Sequence, residues 1–158
     1  MNFLTEHGID SYAQLTEKLS AITDNRNRVH TEIKAIEARQ ADLALVMKYA
    51  STYRKLKPIY EQYRHSGDKE KFMRGHESEI ILFEAAAREL KRLNAVPLPS
   101  SEKLNAELTA LVAKKEMLLA EYKSTRAEVQ EYETVKQNVD ALLSAPKEQE
   151  QKKRKQLE

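Results

Sequence analysis

The sequence predicts an all-α protein, an elongated antiparallel helical hairpin in which a coiled-coil stalk carries a small helical head. The composition is typical of long helices, because 33% of the 158 residues are charged whereas glycine, proline and tryptophan number 3, 4 and 0. Two long segments repeat apolar residues at alternating spacings of three and four, which is the pattern of a coiled coil. A three-helix bundle is the alternative, in which the third helix packs beside the first two.

The chain begins with a predicted helical turn at residues 2–7. Gly8 suits the end of this turn because glycine adopts the left-handed conformation of a helix C-terminal cap. Asp10 and Ser11 are residues that cap the N-terminus of a following helix. That helix carries a seam with 3,4 spacing, interrupted by two polar positions, at Tyr12, Leu15, Leu19, Ile22, Arg26, Val29, Ile33, Ile36, Gln40, Leu43 and Met47.

A tyrosine-rich stretch follows, YASTYRKLKPIYEQYR at 49–64, which holds four of the seven tyrosines. The seam slips here by one residue and then continues at 4,3 spacing. Pro58 lies off this face and predicts a kink near 54–58 rather than the end of the helix, since proline removes one backbone donor and crowds the preceding turn. The new seam consists of Tyr49, Tyr53, Leu56, Tyr60 and Tyr63.

These tyrosines allow two interpretations. Exposed tyrosines in a basic groove would stack against nucleic-acid bases. Tyrosines in phase with a seam are instead buried through their rings. We favour burial, because Phe72 and Phe83 of the next helix recur in phase to cover them.

The third helix is predicted from the turn signal HSGD at 65–68, with Asp68 as its N-cap. Ile81, Leu82 and Ala86 widen its apolar face beyond the residues of its seam. The segment NAVPLPSS at 94–101 ends this helix, and Ser100 or Ser101 caps the next. The seam of the third helix consists of Phe72, Ile80, Phe83, Ala87 and Leu90.

The last helix has an unbroken seam and is predicted to end at Pro146. One helical domain is therefore predicted for 1–146, with stalk segments 11–47 and 101–143 and a head at 48–94. Residues 147–158 are predicted to be a charged, disordered tail. The seam positions are Leu104, Leu108, Leu111, Lys115, Leu118, Tyr122, Thr125, Val129, Tyr132, Lys136, Val139 and Leu143.

Positive charge is concentrated in the predicted head. Residues 48–74 hold 8 basic and 3 acidic side chains, whereas residues 1–47 hold 5 and 7 and residues 75–146 hold 9 and 12. A polyanion would be attracted to such a local excess, although a solvated helix face is the alternative. A second basic run, KKRK at 152–155, is a weaker candidate. The candidate nucleic-acid contacts, called the head cations below, are Arg54, Lys55, Lys57, Arg64, Lys69, Lys71 and Arg74.

Several other classes of function are disfavoured. No cysteine is present, so disulfides and thiolate zinc sites are excluded. No apolar stretch reaches the roughly 18 residues of a membrane span, and a cytoplasmic protein is expected. His76 and Glu79 lie one helical turn apart, but two groups do not make a metal site. No catalytic constellation, metal or cofactor is predicted.

The segment YRKLKPIYEQYRHSGDKEKFMRGHESEIILFEAAARELKRLN, together with FLTEHGIDSYAQL and EYETVKQNVDALL, resembles the C-terminal helical region of relaxases. These are the mobilisation nucleases of conjugative and mobilisable elements of Gram-positive bacteria. The resemblance covers roughly residues 1–143. Relaxases nick DNA with a tyrosine and a histidine-bound metal in an N-terminal nuclease domain, and nothing in this sequence matches that domain. No catalytic residue is therefore carried over.

The resemblance implies a non-catalytic accessory region of a longer, DNA-nicking protein. Its expected partners are DNA, bound through phosphates without sequence preference, proteins of the relaxosome or the secretion machinery, and a second copy of the chain. No membrane partner is expected. The alternative function is a structural coiled-coil spacer or oligomerisation module that binds no nucleic acid.

Overall fold

The computed structural model describes residues 2–157, apart from the side chains of residues 146–149. It contains four helices, α1 (Phe3–Glu6), α2 (Tyr12–Arg64), α3 (Lys69–Arg92) and α4 (Ser101–Leu157), and the described residues form no strand. The predicted all-α class is therefore confirmed. The chain packs as two compact units, to both of which α2 and α4 contribute. One unit joins the residues up to Ile33 with those from Glu116 onward, and the other is Lys34–Lys115.

The start of the chain is fixed by side-chain caps, of which Asn2 was not predicted and Ser11 was. Asn2 Oδ1 accepts a hydrogen bond from the Leu4 amide at 3.2 Å, and Gly8 ends the turn with a φ of 63°. Ser11 Oγ accepts from the Gln14 amide at 3.2 Å, while Gln14 Oε1 accepts from the Asp10 amide at 2.7 Å. These bonds satisfy the Gln14 amide in the first turn of α2 and the Asp10 amide just before the helix.

The ends of α3 also lie close to where turn chemistry predicts them. Asp68 Oδ1 accepts from the Lys71 amide at 3.1 Å. Asn94, which follows the helix, has a φ of 56°, a conformation that asparagine tolerates better than most residues. Ser100 Oγ accepts from the Lys103 amide at 3.2 Å and so caps α4. Within α3 the backbone departs from helical geometry at His76 (φ −134°, ψ 26°), which the sequence did not predict.

Each of the two long helices continues past the proline that it contains. α2 continues through Pro58, as predicted. α4 also continues past residue 146 to Leu157, so the predicted helix end at Pro146 is wrong. The segment expected to be a disordered tail is helical as far as Leu157. A proline within a helix removes one backbone hydrogen bond and crowds one turn, but the helix can resume after it.

The unit that contains both ends of the chain is an antiparallel pair of α2 and α4 segments. Its core cluster consists of Ile9, Leu15 and Tyr132, and Phe3 packs edge-on against Tyr132 with ring centroids 5.0 Å apart. The Tyr12 hydroxyl donates to Asp140 at 2.7 Å. Burial raises the pKa of Tyr132 above its ordinary value, and the carboxylates of neighbouring residues add to the effect.

The Lys34–Lys115 unit combines parts of three helices. Leu43, Val46 and Ala50 of α2 form a buried cluster with Leu90 of α3 and Leu104 of α4. The predicted head, 48–94, belongs to this unit together with parts of the two predicted stalk segments, 34–47 and 101–115. The end of α3 therefore packs against both α2 and α4. This packing is the one that the three-helix alternative predicts for the third helix.

An ion pair joins α2 and α4 within this second unit. Arg39 donates two hydrogen bonds to the Glu107 carboxylate, at 2.7 and 3.2 Å. These bonds lower the pKa of Glu107 below its ordinary value and raise that of Arg39. Both side chains are more than 40% exposed, so the pair contributes at most about 1 kcal/mol to stability.

The heptad patterns identify the buried faces of both long helices. Every predicted seam position of residues 12–47 is buried or half-buried except Tyr12, including the polar positions Arg26 and Gln40. In α4 the one exposed seam position is Leu143, which is 58% exposed. The predicted antiparallel packing of the long helices is confirmed within each unit.

Candidate nucleic-acid interface

The tyrosine face of α2 packs against α3 through stacked rings. Phe83 lies between Tyr53 and Tyr60, with centroid distances of 4.7 and 4.3 Å and interplanar angles of 27° and 22°. Tyr63 and Phe72 approach less closely, at 6.2 Å. The aromatic residues of the two helices therefore meet as the sequence predicts.

The tyrosines are nevertheless less buried than a seam position would suggest. Leu56 and Phe83 are buried, at 8% and 5% exposed, whereas all four tyrosines of this face are half-buried. A tyrosine ring can fill apolar space while its hydroxyl stays in water. Three of the rings are engaged by other residues: Tyr53 and Tyr60 stack on Phe83, and Tyr49 packs on the apolar cluster that contains Leu43.

All seven head cations are exposed, but they are not equivalent. Arg54 donates to the Pro99 carbonyl at 2.8 Å and to Ser101 Oγ at 3.2 Å. These bonds hold its guanidinium against the loop between α3 and α4. Arg54 is therefore part of the internal structure of this unit and is the head cation least free to move toward a ligand.

Two further head cations make weaker contacts. Lys57 Nζ lies 6.0 Å from the centre of the Tyr53 ring, at the limit of a cation–π contact. Arg74 Nε donates to the Glu70 carbonyl at 3.4 Å. Both side chains are exposed, and neither contact neutralises the charge with a carboxylate.

The other four head cations are unpaired within the described part of the chain. Lys55, Arg64, Lys69 and Lys71 make no side-chain hydrogen bond and no ion pair with any residue whose side chain the structure describes. Elsewhere, cations such as Arg28, Arg39 and Lys115 pair with glutamates of a neighbouring helix.

A hollow lies between the end of α2 and the first turns of α3, and it is called the α2–α3 hollow below. It has a volume of about 460 Å³ and is lined by Tyr63, Lys69, Glu70, Met73 and Arg74. Lys71 instead lines a separate depression of about 280 Å³ with Asp68 and Phe72. The structure thus divides the head cations among different surroundings.

Sequence reasoning missed the roles of Glu70 and Met73 in this hollow. A signal was present, because residues 69, 70, 73 and 74 are spaced as neighbours on one helical face. Their approach to Tyr63 depends on the turn at 65–68, whose geometry the sequence does not specify.

The histidine considered as a metal ligand has a local partner. His76 Nδ1 lies 3.0 Å from Glu79 Oε2, and its ring stacks on Phe72 at 4.5 Å. Within the described residues, no three histidine, aspartate or glutamate side chains are grouped so as to hold a metal ion. The basic run at 152–155 is exposed on the last turns of α4.

The fold and the site together define a helical protein with a locally basic surface. Comparisons with protein-family models, with curated proteins and with solved structures find no match to this chain. In the part of the chain that the structure describes, no helix has both the length and the apolar content to cross a bilayer.

Proposed function

We propose that this chain is a non-catalytic helical module that contacts DNA through phosphate groups and without sequence preference. The observation that carries the proposal is the set of exposed head cations with no described partner, foremost Lys55, Arg64, Lys69 and Lys71. Cations of this kind can neutralise phosphates without first breaking an internal ion pair.

The absence of sequence preference follows from the elements that carry the charges. The head cations lie on the end of α2 and the start of α3, whose facing sides are occupied by their own aromatic contacts. Phosphate contacts position a protein on DNA, whereas base contacts specify sequence. A helix that reads the major groove presents amide and guanidinium groups in a row toward base edges, and we see no such row here.

The resemblance to the C-terminal region of relaxases supplies the biological setting of this proposal. In that setting the chain is an accessory region of a DNA-mobilisation protein and acts in the cytoplasm. It assists by holding DNA or by contacting proteins of the relaxosome or secretion machinery. Antiparallel helices with exposed charged faces would suit either kind of contact.

A structural spacer is the second candidate function. The buried seams of α2 and α4 favour it, because long helices that pack through such seams are typical of structural coiled-coil modules. A spacer needs exposed charge only for solubility, so its charges can be replaced without functional loss. The two candidates therefore differ in the outcome of charge substitution.

Salt dependence of DNA binding distinguishes the two functions. Each phosphate contact with a duplex adds about 0.9 to the log–log salt slope, so three or four contacts should weaken binding roughly 40- to 150-fold between about 50 and 200 mM salt. Replacing Lys55, Lys57, Lys69 and Lys71 with glutamine should flatten this slope. Fluorescence anisotropy with a labelled duplex measures the salt slopes of the wild type and the variant. Circular dichroism checks that the variant keeps its helicity.

The matched control replaces four exposed lysines outside the head cations, Lys91, Lys103, Lys114 and Lys123, with glutamine. It removes the same charge and is expected to leave most of the slope in place. An equal decrease of the salt slope in both variants would mean that net charge alone drives DNA binding. No binding by the wild-type chain at the lower salt concentration would favour the spacer.

The isolated chain is expected to show no nuclease activity. Neither a histidine cluster nor a nucleophile with an adjacent base was found in the sequence. Incubating the purified chain with supercoiled plasmid and magnesium or manganese measures this directly. Metal-dependent nicking that copurifies with the chain and disappears on denaturation would contradict the proposal of a non-catalytic module.

A further inference from the structure

The α2–α3 hollow is an open depression of the surface whose volume and lining suit one face of a small ligand. Its volume of about 460 Å³ falls within the range of roughly 300–1,000 Å³ typical of pockets for small molecules. Tyr63 and Met73 provide apolar surface, Lys69 and Arg74 provide positive charge, and Glu70 provides one carboxylate. A ligand that combines a flat ring with a single phosphate matches this mixture.

Tyr63 differs from Tyr53 and Tyr60 because no aromatic ring of the described residues stacks closely on it. Tyr53 and Tyr60 lie within 4.7 Å of Phe83 and nearly parallel to it. The nearest aromatic neighbours of Tyr63 are Tyr60 at 6.0 Å and Phe72 at 6.2 Å, tilted by 47° and 37°. No described aromatic ring therefore stacks closely on Tyr63, and this half-buried residue lines the hollow.

The charges of the hollow favour one phosphate over several. Lys69 forms no ion pair with a described carboxylate, and Arg74 contacts only a backbone carbonyl. Glu70 lines the same hollow and would repel a second phosphate. Two positive charges and one negative charge suit the single phosphate of one nucleotide better than several consecutive phosphates of a DNA strand.

We propose that the α2–α3 hollow binds one nucleotide of a single DNA strand, with its base against Tyr63 and Met73 and its phosphate at Lys69 and Arg74. A single strand is required because the bases of a duplex are stacked and paired, and their faces cannot reach a side chain. This inference rests on the proposed DNA binding and adds a preference for single strands.

The test compares a labelled oligothymidylate with a duplex of equal length by fluorescence anisotropy at low salt. Tyr63→Leu keeps apolar bulk but removes the aromatic face. It should weaken single-strand binding about 5- to 150-fold, the range found for one stacked base, and leave duplex binding unchanged. Tyr63→Phe keeps the ring and should bind like the wild type. Tyr12→Leu is the control, because Tyr12 is 42% exposed and lies in the other unit.

A second variant guards against a folding defect at Tyr63. Lys69→Gln combined with Arg74→Gln changes only exposed side chains and should weaken single-strand binding more than the equal charge loss of Lys91→Gln with Lys103→Gln. Equal effects of the two pairs would overturn the inference. A Tyr63→Leu variant that folds and binds single strands like the wild type would also overturn it.

The outcomes separate this inference from the function on which it rests. Duplex and single strand bound equally, with no effect of Tyr63→Leu, would leave phosphate binding standing and remove the nucleotide site. No binding of either DNA by the wild-type chain would remove both.

Discussion

Replacing Phe83 with alanine is expected to lower the free energy of unfolding by about 3–5 kcal/mol, the usual loss for a buried phenylalanine. Phe83 is 5% exposed and stacks on both Tyr53 and Tyr60. Each aromatic pair adds roughly 0.5–1.5 kcal/mol beyond the area that it buries. Alanine is a better helix former than phenylalanine, so the loss reflects packing between α2 and α3.

Urea unfolding followed by circular dichroism measures this loss. Ile81→Ala is the control on the same helix. The prediction that Ile81 and Leu82 widen the apolar face of α3 is wrong, because they are 52% and 55% exposed. Ile81→Ala should therefore change stability by no more than about 0.5 kcal/mol. Tyr60→Ala should cost roughly 2–4 kcal/mol. Combined with Phe83→Ala it should cost less than the sum, because both changes remove the same contact.

The base-stacking interpretation of the tyrosine face predicts the opposite pattern. Tyr53 and Tyr60 would then contribute little to the fold and much to binding. Alanine variants of both that melt like the wild type but no longer bind DNA would establish that interpretation. The stacking distances to Phe83 instead favour a structural role for these two rings, and Tyr63 is the tyrosine that remains available.

A second large effect is expected at the start of α2. Leu15→Ala should lower stability by about 2–5 kcal/mol, because Leu15 is 1% exposed and packs with Ile9 and Tyr132. Leu143→Ala is the matched control, since the heptad pattern places it in the α4 seam but the structure leaves it 58% exposed. It should change stability by no more than about 0.5 kcal/mol.

Thermal and urea melts of the two variants test whether Leu143 is packed, as the heptad pattern predicts, or exposed, as in the structure. Comparable losses at Leu15 and Leu143 would mean that the α4 seam remains packed as far as Leu143. A small loss at Leu15 would contradict the packed core cluster of this unit.

Much of the fold follows from local sequence chemistry. Ser11, Asp68 and Ser100 cap their helices because side-chain oxygens close to a first turn satisfy its free amides. The seams of α2 and α4 were predictable because a helix carries residues three and four apart on one face. Pro146 shows the limit of such rules, since a proline disfavours helix continuation without preventing it.

The candidate site was predictable only in outline. The local excess of lysine and arginine identified the head cations, because charge composition is visible in the sequence. Their individual surroundings were not visible: Arg54 bonds to the loop at Pro99 and Ser101, which lies far away in sequence. The half-burial of the tyrosines likewise depends on how closely α3 approaches α2.

The sequence by itself determined that this protein is helical, where its helices begin, which seams of α2 and α4 face inward and where positive charge is concentrated. These properties depend on composition and on spacings within a few residues. The tertiary structure alone decided how closely Tyr53 and Tyr60 stack on Phe83, and that Tyr63 joins Lys69 and Arg74 around one hollow. The physical reason is that these contacts depend on the turn at 65–68 and on the distance between two helices, neither of which is encoded in the periodicity of one helix.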